Sequence, residues 1–149
     1  MSKQCLSIDQ MRHLHELGLD TSKASIHYWI IRNGEYSEEK GGYVFSEEPS
    51  CVTLNLYPYE FKDDVAIRKV EDIPTFTLQN ILDILPPYID DFWLNIEKDC
   101  YKNGEITYFV NYKDPSSKDV LINLHSVNTI DAAYEILCWC VENDYLKKE

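Results

Sequence analysis

Residues 127–142 read VNTIDAAYEILCWCVE and organise the rest of the chain. At about 100° per residue on a helical wheel, their apolar side chains form one wide stripe. The stripe contains Ile130, Ala133, Tyr134, Leu137 and Val141, flanked by Ile136, Cys138 and Cys140. The polar strip that remains is narrow, so the sequence predicts a helix that protein covers over more than half of its circumference. We expect Asn128 or Thr129 to cap its start and Asn143 to end it in a left-handed conformation.

Two shorter helices are predicted before this one. Ser7 and Gln10 form a capping-box pattern ahead of apolar residues at helical spacing, and Gly18 ends that segment. Thr77 is placed to cap a second helix of about two turns, and Pro86 ends it. Both helices are amphipathic, so each is expected to pack one face against a core.

Apolar residues alternate with a period of two in the segments between the helices, which predicts strands. These segments are residues 26–32, 43–46, 51–57, 92–97, 106–112 and 120–124. Asn33-Gly34 and Asn103-Gly104 are turn signals, whereas residues 65–70 fit either a short edge strand or a loop. Val52, Leu54 and Leu56 are expected to face the core. The order α-βββ-α-βββ-α predicts an α+β fold, a mainly antiparallel sheet of about six strands with the three helices on one face.

Length and composition indicate a single domain spanning residues 1–149. The net charge is −12, and residues 35–100 carry fifteen acidic against five basic side chains. Such a field repels phosphate backbones, so we expect no direct nucleic-acid binding, and a basic protein partner remains open. The sequence shows no leader pattern and no apolar run long enough for a membrane span, and its five irregularly spaced cysteines suit reduced thiols. We therefore expect a cytoplasmic protein.

Candidate metal ligands and catalytic motifs are weak throughout the chain. The pairs His13/His15 and Cys138/Cys140 stand two residues apart on helices, where side chains point about 200° apart and cannot share one ion. The acidic pairs are Asp63-Asp64 and Asp90-Asp91, and adjacent carboxylates in polar loops are usually solvated. No phosphate loop, nucleophile elbow or metalloprotease helix is present. The sequence therefore predicts no catalytic residues, no metal and no cofactor.

One side of the predicted strands is rich in aromatic and amide side chains and poor in charge. Its members are His27, Trp29, Ile31, Thr53, Asn55, Tyr57, Trp93, Asn95, Phe109, Asn111, Asn123 and His125. Aromatic anchors among uncharged amides are typical of interfaces, and an alternative remains open in which a further layer of the same chain covers this side. The predicted binding residues are Trp29, Asn55, Trp93, Asn95, Phe109, Asn111 and His125. An exposed patch of this kind also predicts a homodimer in which Trp93 packs across a two-fold axis.

Three segments carry a resemblance to known sequences: residues 7–25, residues 74–86 (PTFTLQNILDILP) and residues 130–146. Together they resemble small proteins encoded in prophages and mobile elements of gut Bacteroidetes, a group with no established activity. The resemblance implies an accessory protein and carries over no catalytic residue. The leading interpretation is a non-enzymatic binding protein, of the inhibitor or immunity type, that uses an acidic rim and an aromatic sheet face. The alternative is a small enzyme with a loop-built active site, which a pocket joining His27 or His125 to a carboxylate would favour.

Overall fold

The computed structural model describes residues 3–55 and 68–146 and has the α+β fold that the sequence predicts. Three helices and eight strands occur within these residues, against about six strands predicted. The elements are α1 (Ile8–Glu16), β1 (Ile26–Ser37), β2 (Gly42–Phe45), β3 (Cys51–Asn55), β4 (Arg68–Thr75), α2 (Leu78–Ile84), β5 (Tyr88–Ile89), β6 (Phe92–Cys100), β7 (Ile106–Lys113), β8 (Val120–Ser126) and α3 (Thr129–Glu142). The strands form two antiparallel sheets of four strands each, which we call sheet A (β1–β4) and sheet B (β5–β8).

Sheet A is built around the long strand β1. Strand β4 pairs along β1 from Ile26↔Thr75 to Asn33↔Arg68, and β3 pairs with the same part of β1 along its opposite edge. The backbone N–H of Ser46 donates to the carbonyl of Asn33, and that of Ser50 donates to the carbonyl of Ile31. Strands β2 and β3 therefore lie along the same edge of β1, with a short bulge between them. The strand β4 is the main element that the alternating pattern did not resolve. Part of the ambiguous segment 65–70 and residues 56–57 lie outside the described residues.

The sequence predicted a turn at Asn33-Gly34, and this prediction is wrong. Both residues lie inside β1, where Gly34 pairs with Phe45 of β2. The chain reverses at residues 38–41 instead, and Gly41 has φ +67° there. Pairing with β2 provides hydrogen-bond partners for the backbone N–H and C=O groups around Gly34, and these bonds outweigh the local preference of Asn-Gly for a turn.

Sheet B is a simple meander in the order β5-β6-β7-β8. The turn predicted at Asn103-Gly104 joins β6 to β7. Gly104 has φ +89°, a value that suits glycine, and the Asn103 side chain accepts a hydrogen bond from the backbone of Glu105 at 3.0 Å. Asp114 similarly accepts hydrogen bonds from two backbone N–H groups in the turn before β8. Local side-chain chemistry therefore sets the hairpins of this sheet.

The helix starts follow the sequence closely. Ser7 and Gln10 form the expected capping box of α1, and Thr77 caps α2 together with Asn80. Asn128 is the N-cap residue of α3, but its side chain makes no capping hydrogen bond to the helix backbone. The predicted left-handed conformation of Asn143 is wrong, because Asn143 has φ −102° and the positive φ of 60° falls on Asp144. None of the described helices has the length and apolarity needed to cross a membrane.

The core lies between sheet B and the helices. Helix α3 packs on β7 and β8 and contacts α2 beside it, while α1 packs on β4 of sheet A. The buried cluster includes Leu14, Phe76, Tyr112, Ile136 and Leu137, so the apolar stripe predicted for the closing helix is its buried side. Val52 and Leu54 were expected to face the core, but they are 50% and 44% exposed because they lie on the edge strand β3 of sheet A, not in sheet B under the helices.

Candidate functional site

The face of sheet B turned away from α3 carries five of the seven binding residues that the sequence predicted. Val110 and Tyr112 of β7 are buried in the core, so their neighbours Phe109 and Asn111 point to the opposite side. Cross-strand pairing extends this side over β5, β6 and β8. We call the resulting surface the aromatic–amide face, and it consists of Tyr88, Trp93, Asn95, Phe109, Asn111, Asn123 and His125.

Three asparagines form a hydrogen-bonded row across the centre of this face. Asn95, Asn111 and Asn123 are direct partners on neighbouring strands. Asn95 Nδ2 donates to Asn111 Oδ1 at 3.1 Å, and Asn111 Nδ2 donates to Asn123 Oδ1 at 3.1 Å. Each amide carries donors and acceptors at once, so the row runs in one direction from β6 to β8. Asn111 is only 3% exposed and makes both bonds, so it holds the middle of the row in place.

Glu97 and Lys113 lie on the same side of sheet B and form an ion pair beside the amide row. Glu97 Oε1 accepts a hydrogen bond from Lys113 Nζ at 3.0 Å and one from Asn95 Nδ2 at 2.7 Å. The hydrogen bond from Lys113 and then that from Asn95 hold the pKa of the Glu97 carboxyl below its ordinary range. The Glu97–Lys113 pair therefore fixes the β6 end of the amide row, and the centre of the face carries no net charge.

Aromatic side chains lie on both sides of the amide row. Trp93 is 59% exposed, and its cross-strand partner Tyr88 on β5 is 64% exposed. On the other side Phe109 and His125 are direct partners, with ring centroids 5.6 Å apart. Large exposed rings beside a row of amides resemble the composition of binding surfaces, where aromatic residues supply anchors and amides supply adaptable hydrogen bonds.

The structure brings together five of the seven predicted binding residues and separates the other two. Trp93, Asn95, Phe109, Asn111 and His125 share the aromatic–amide face. Trp29 and Asn55 belong to sheet A instead, on the side of β1 and β3 that also carries His27 and Thr53. The prediction that all seven residues share one continuous face is therefore wrong, because the strands divide between two sheets. Sequence reasoning also missed Tyr88, since a strand of two residues is too short to show an alternating pattern.

The acidic segment forms a separate surface on sheet A. Residues 35–48 make up the β1–β2 hairpin and its exit, whereas the aromatic–amide face belongs to sheet B. Tyr36 and Tyr43 are direct cross-strand partners there, both exposed, with ring centroids 5.6 Å apart. A groove of about 590 Å³ is lined by Asn33, Glu35, Tyr36, Ser37, Lys40, Val44, Phe45, Ser46 and Ser50. The predicted acidic rim therefore lies on sheet A, on a different sheet from the aromatic–amide face.

A histidine and a carboxylate meet on sheet A. His27 Nδ1 lies 2.8 Å from Asp72 Oδ1, across the pairing of β1 with β4. The histidine side chain is largely buried and the carboxylate is partly exposed. Asp72 also lines a groove of about 420 Å³, whose other lining residues are Met11, Arg12, His15, Glu16, Thr21, Glu71, Ile73 and Pro74, and His27 is not among them. The enzyme alternative therefore stays a prediction.

The cysteine side chains are all free thiols of differing exposure. Cys140 is buried in α3, Cys138 is half-buried, and Cys51 and Cys100 are exposed. Burial raises the pKa of the Cys140 thiol to about 11 and also raises the pKa of Cys138. Within residues 3–55 and 68–146, no three His, Cys, Asp or Glu side chains are grouped so that they could hold a metal ion. The Asp63-Asp64 pair lies outside the described residues.

Comparison with known proteins gives no relative from which a role could be transferred. No protein-family model, no curated protein and no solved structure matches the chain. The candidate site therefore stands on its own geometry.

Proposed function

We propose that this protein is a non-enzymatic accessory protein that binds a protein partner through the aromatic–amide face of sheet B. The observation that carries the proposal is the row Asn95–Asn111–Asn123, hydrogen-bonded at 3.1 Å per step and flanked by exposed Trp93 and Tyr88. A sheet surface that faces only water normally carries many charged side chains. This one offers aromatic anchors and pre-organised amides, which reduce the entropy lost when a partner binds.

The class of partner follows from the chemistry of the face. A surface spread over four strands suits a protein partner better than a small molecule, which binds in a concave pocket. The resemblance to proteins of prophages and mobile elements favours an accessory role, in which the face occupies a partner as an inhibitor or immunity-type protein does. The acidic hairpin of sheet A would steer a basic partner by its electrostatic field. Five free thiols support a place in the reducing cytoplasm.

Site-specific photo-crosslinking tests this proposal in cells of the organism that encodes the protein. A benzophenone amino acid replaces Tyr88 or Trp93 in the face, and in the matched control it replaces Tyr36, an exposed tyrosine of the acidic hairpin. We expect one protein to be captured from positions 88 and 93 but not from position 36. Capture of the same proteins from all three positions, or of none from 88 and 93, would contradict binding through this face.

The captured partner then allows a direct measurement. Trp93→Ala removes an exposed ring without disturbing the buried core, so its unfolding midpoint should stay close to that of the unchanged protein. If Trp93 anchors the partner, its dissociation constant measured by calorimetry should rise about 30-fold or more, the range of an interface hot spot. Tyr36→Ala serves as the control, with no change in affinity beyond about twofold.

A further inference from the structure

The outer edge of sheet B is an unprotected strand. Strand β8 lies at the end of the order β5-β6-β7-β8, and no described strand pairs with its outer side. Its sequence is VLINLHS, with no charged residue and no proline, although charged residues make up 27% of the chain. Natural proteins protect exposed edges with lysine, proline or a bulge. The irregularity opposite Tyr112 and Lys113 leaves Leu121 as an extra residue near the start of β8, so the edge is regular from Ile122 to Ser126.

The amide row ends at this edge with an unused donor. Asn123 Oδ1 accepts the bond from Asn111, and Asn123 Nδ2 makes no hydrogen bond to any described residue. Asn123 is exposed. Because a primary amide is both donor and acceptor, the chemical group that best continues the row is another asparagine amide in the same position.

An antiparallel two-fold pairing of β8 supplies that group. If the axis passes at Asn123, this residue faces Asn123 of the partner subunit, and Leu124 faces Ile122 of the partner subunit. An isologous contact repeats every pair by symmetry, and none of these pairs opposes like charges because the strand contains none.

The side of β8 that faces the helices is also incompletely buried. Ile122 and Leu124 point toward the helix layer but are only half-buried. They line a groove of about 320 Å³ together with Tyr134, Cys138 and Trp139 of α3, and its remaining lining residues are His13, Glu135 and Glu142. Extending the sheet past β8 would cover this apolar strip, and burial of apolar surface favours association by about 25 cal/mol per Å².

We propose that a second copy of this chain pairs edge to edge with β8, forming one continuous sheet of eight strands, four from each copy. The amide rows of the two copies then meet at the axis, where each Asn123 Nδ2 donates to the Oδ1 atom of Asn123 of the partner subunit, an oxygen that can accept a second hydrogen bond. This contact differs from the dimer expected from the sequence, in which Trp93 packs on its own copy, because Trp93 lies on β6, two strands away from this edge. It leaves the aromatic–amide face open on both copies, so it does not depend on the proposed function.

Analytical ultracentrifugation from low to high micromolar concentration tests the pairing. We expect twice the monomer mass at high concentration. Asn123→Asp places two carboxylates against each other at the axis and should raise the dimer dissociation constant by at least about tenfold. Asn103→Asp is the matched control, because it adds the same charge in the β6–β7 turn and keeps the oxygen that accepts from Glu105. It should leave the dimer unchanged, as should Trp93→Asp.

Hydrogen–deuterium exchange on the unchanged protein gives a readout that needs no variant. Amides on the outer edge of β8 should exchange more slowly at high concentration than at low concentration, whereas amides bonded between β6 and β7 should not change. A monomer at high micromolar concentration would overturn the proposal. So would a dimer that Asn123→Asp and Asn103→Asp affect equally, or one that Trp93→Asp dissociates, which would indicate packing through the aromatic–amide face.

Discussion

Replacing Leu137 with alanine tests whether the closing helix holds the core together. Leu137 is fully buried in the cluster between α3 and sheet B. The substitution removes three carbon atoms, worth about 2.4 kcal/mol in transfer free energy at about 0.8 kcal/mol per methylene. The cavity that remains adds to this value, and buried leucine-to-alanine changes usually cost about 2–5 kcal/mol. We expect the free energy of unfolding to fall by about 3 kcal/mol.

A loss of this size should be measurable without abolishing the fold. Domains of this length are stable by about 5–15 kcal/mol, and about 1 kcal/mol corresponds to about 2–4 °C in the melting temperature. The unfolding midpoint should therefore fall by about 6–12 °C. Urea unfolding followed by circular dichroism, at one fixed protein concentration, gives the free energy directly.

Val127→Ala is the control for this measurement. Val127 lies two residues before the start of α3 and is 73% exposed, so its truncation should change stability by less than about 0.5 kcal/mol. If Leu137→Ala destabilises the protein by less than about 1 kcal/mol, or no more than Val127→Ala does, then α3 is not the central element of the core.

Two further predictions concern titrating groups. In native protein near neutral pH, an alkylating reagent should label the exposed Cys51 and Cys100 first and Cys140 last, because burial of Cys140 and its pKa of about 11 leave almost no thiolate. Mass spectrometry that finds Cys140 labelled as fast as Cys51 would contradict its burial. Burial would raise the pKa of Asp131, but hydrogen bonds from Lys3, Gln10 and Asn128 outweigh it and lower the pKa below 3.8. Ionised Asp131 therefore stabilises the fold above pH 3.8, and this stabilisation is lost as the pH falls through the lower pKa of the folded protein. The free energy of unfolding of Asp131→Asn should depend less on pH in that range. An equal pH dependence of both proteins in urea unfolding would refute this linkage.

Local interactions explain the features that could be predicted before the fold was known. The capping box of Ser7 with Gln10 and the glycine turn at Gly104 involve residues close in sequence, so their geometry follows from the side chains present. The apolar stripe of α3 is likewise set by a period of 3.6 residues. Alternation along β6, β7 and β8 placed Trp93, Asn95, Phe109, Asn111 and His125 on one side, because a strand has only two sides.

Tertiary structure decided how the strands are shared between sheets. Alternation shows which side a residue takes within its own strand, but it carries no information about which strands become neighbours. Trp29 and Asn55 were therefore grouped with residues of another sheet. Strand β4 became visible only through its long pairing with β1, and Asn33-Gly34 stayed extended because β2 supplied backbone partners.

The amide row depends on both levels. The sequence determined that Asn95, Asn111 and Asn123 occupy outward positions of their strands. Their hydrogen bonds required registers that set all three directly opposite one another, and those registers depend on the two connecting turns and on the packing of Val110 and Tyr112 beneath α3. A shift of one residue in either pairing would have turned the amides of one strand into the core, so the packing of the opposite side of the sheet is what aligned them.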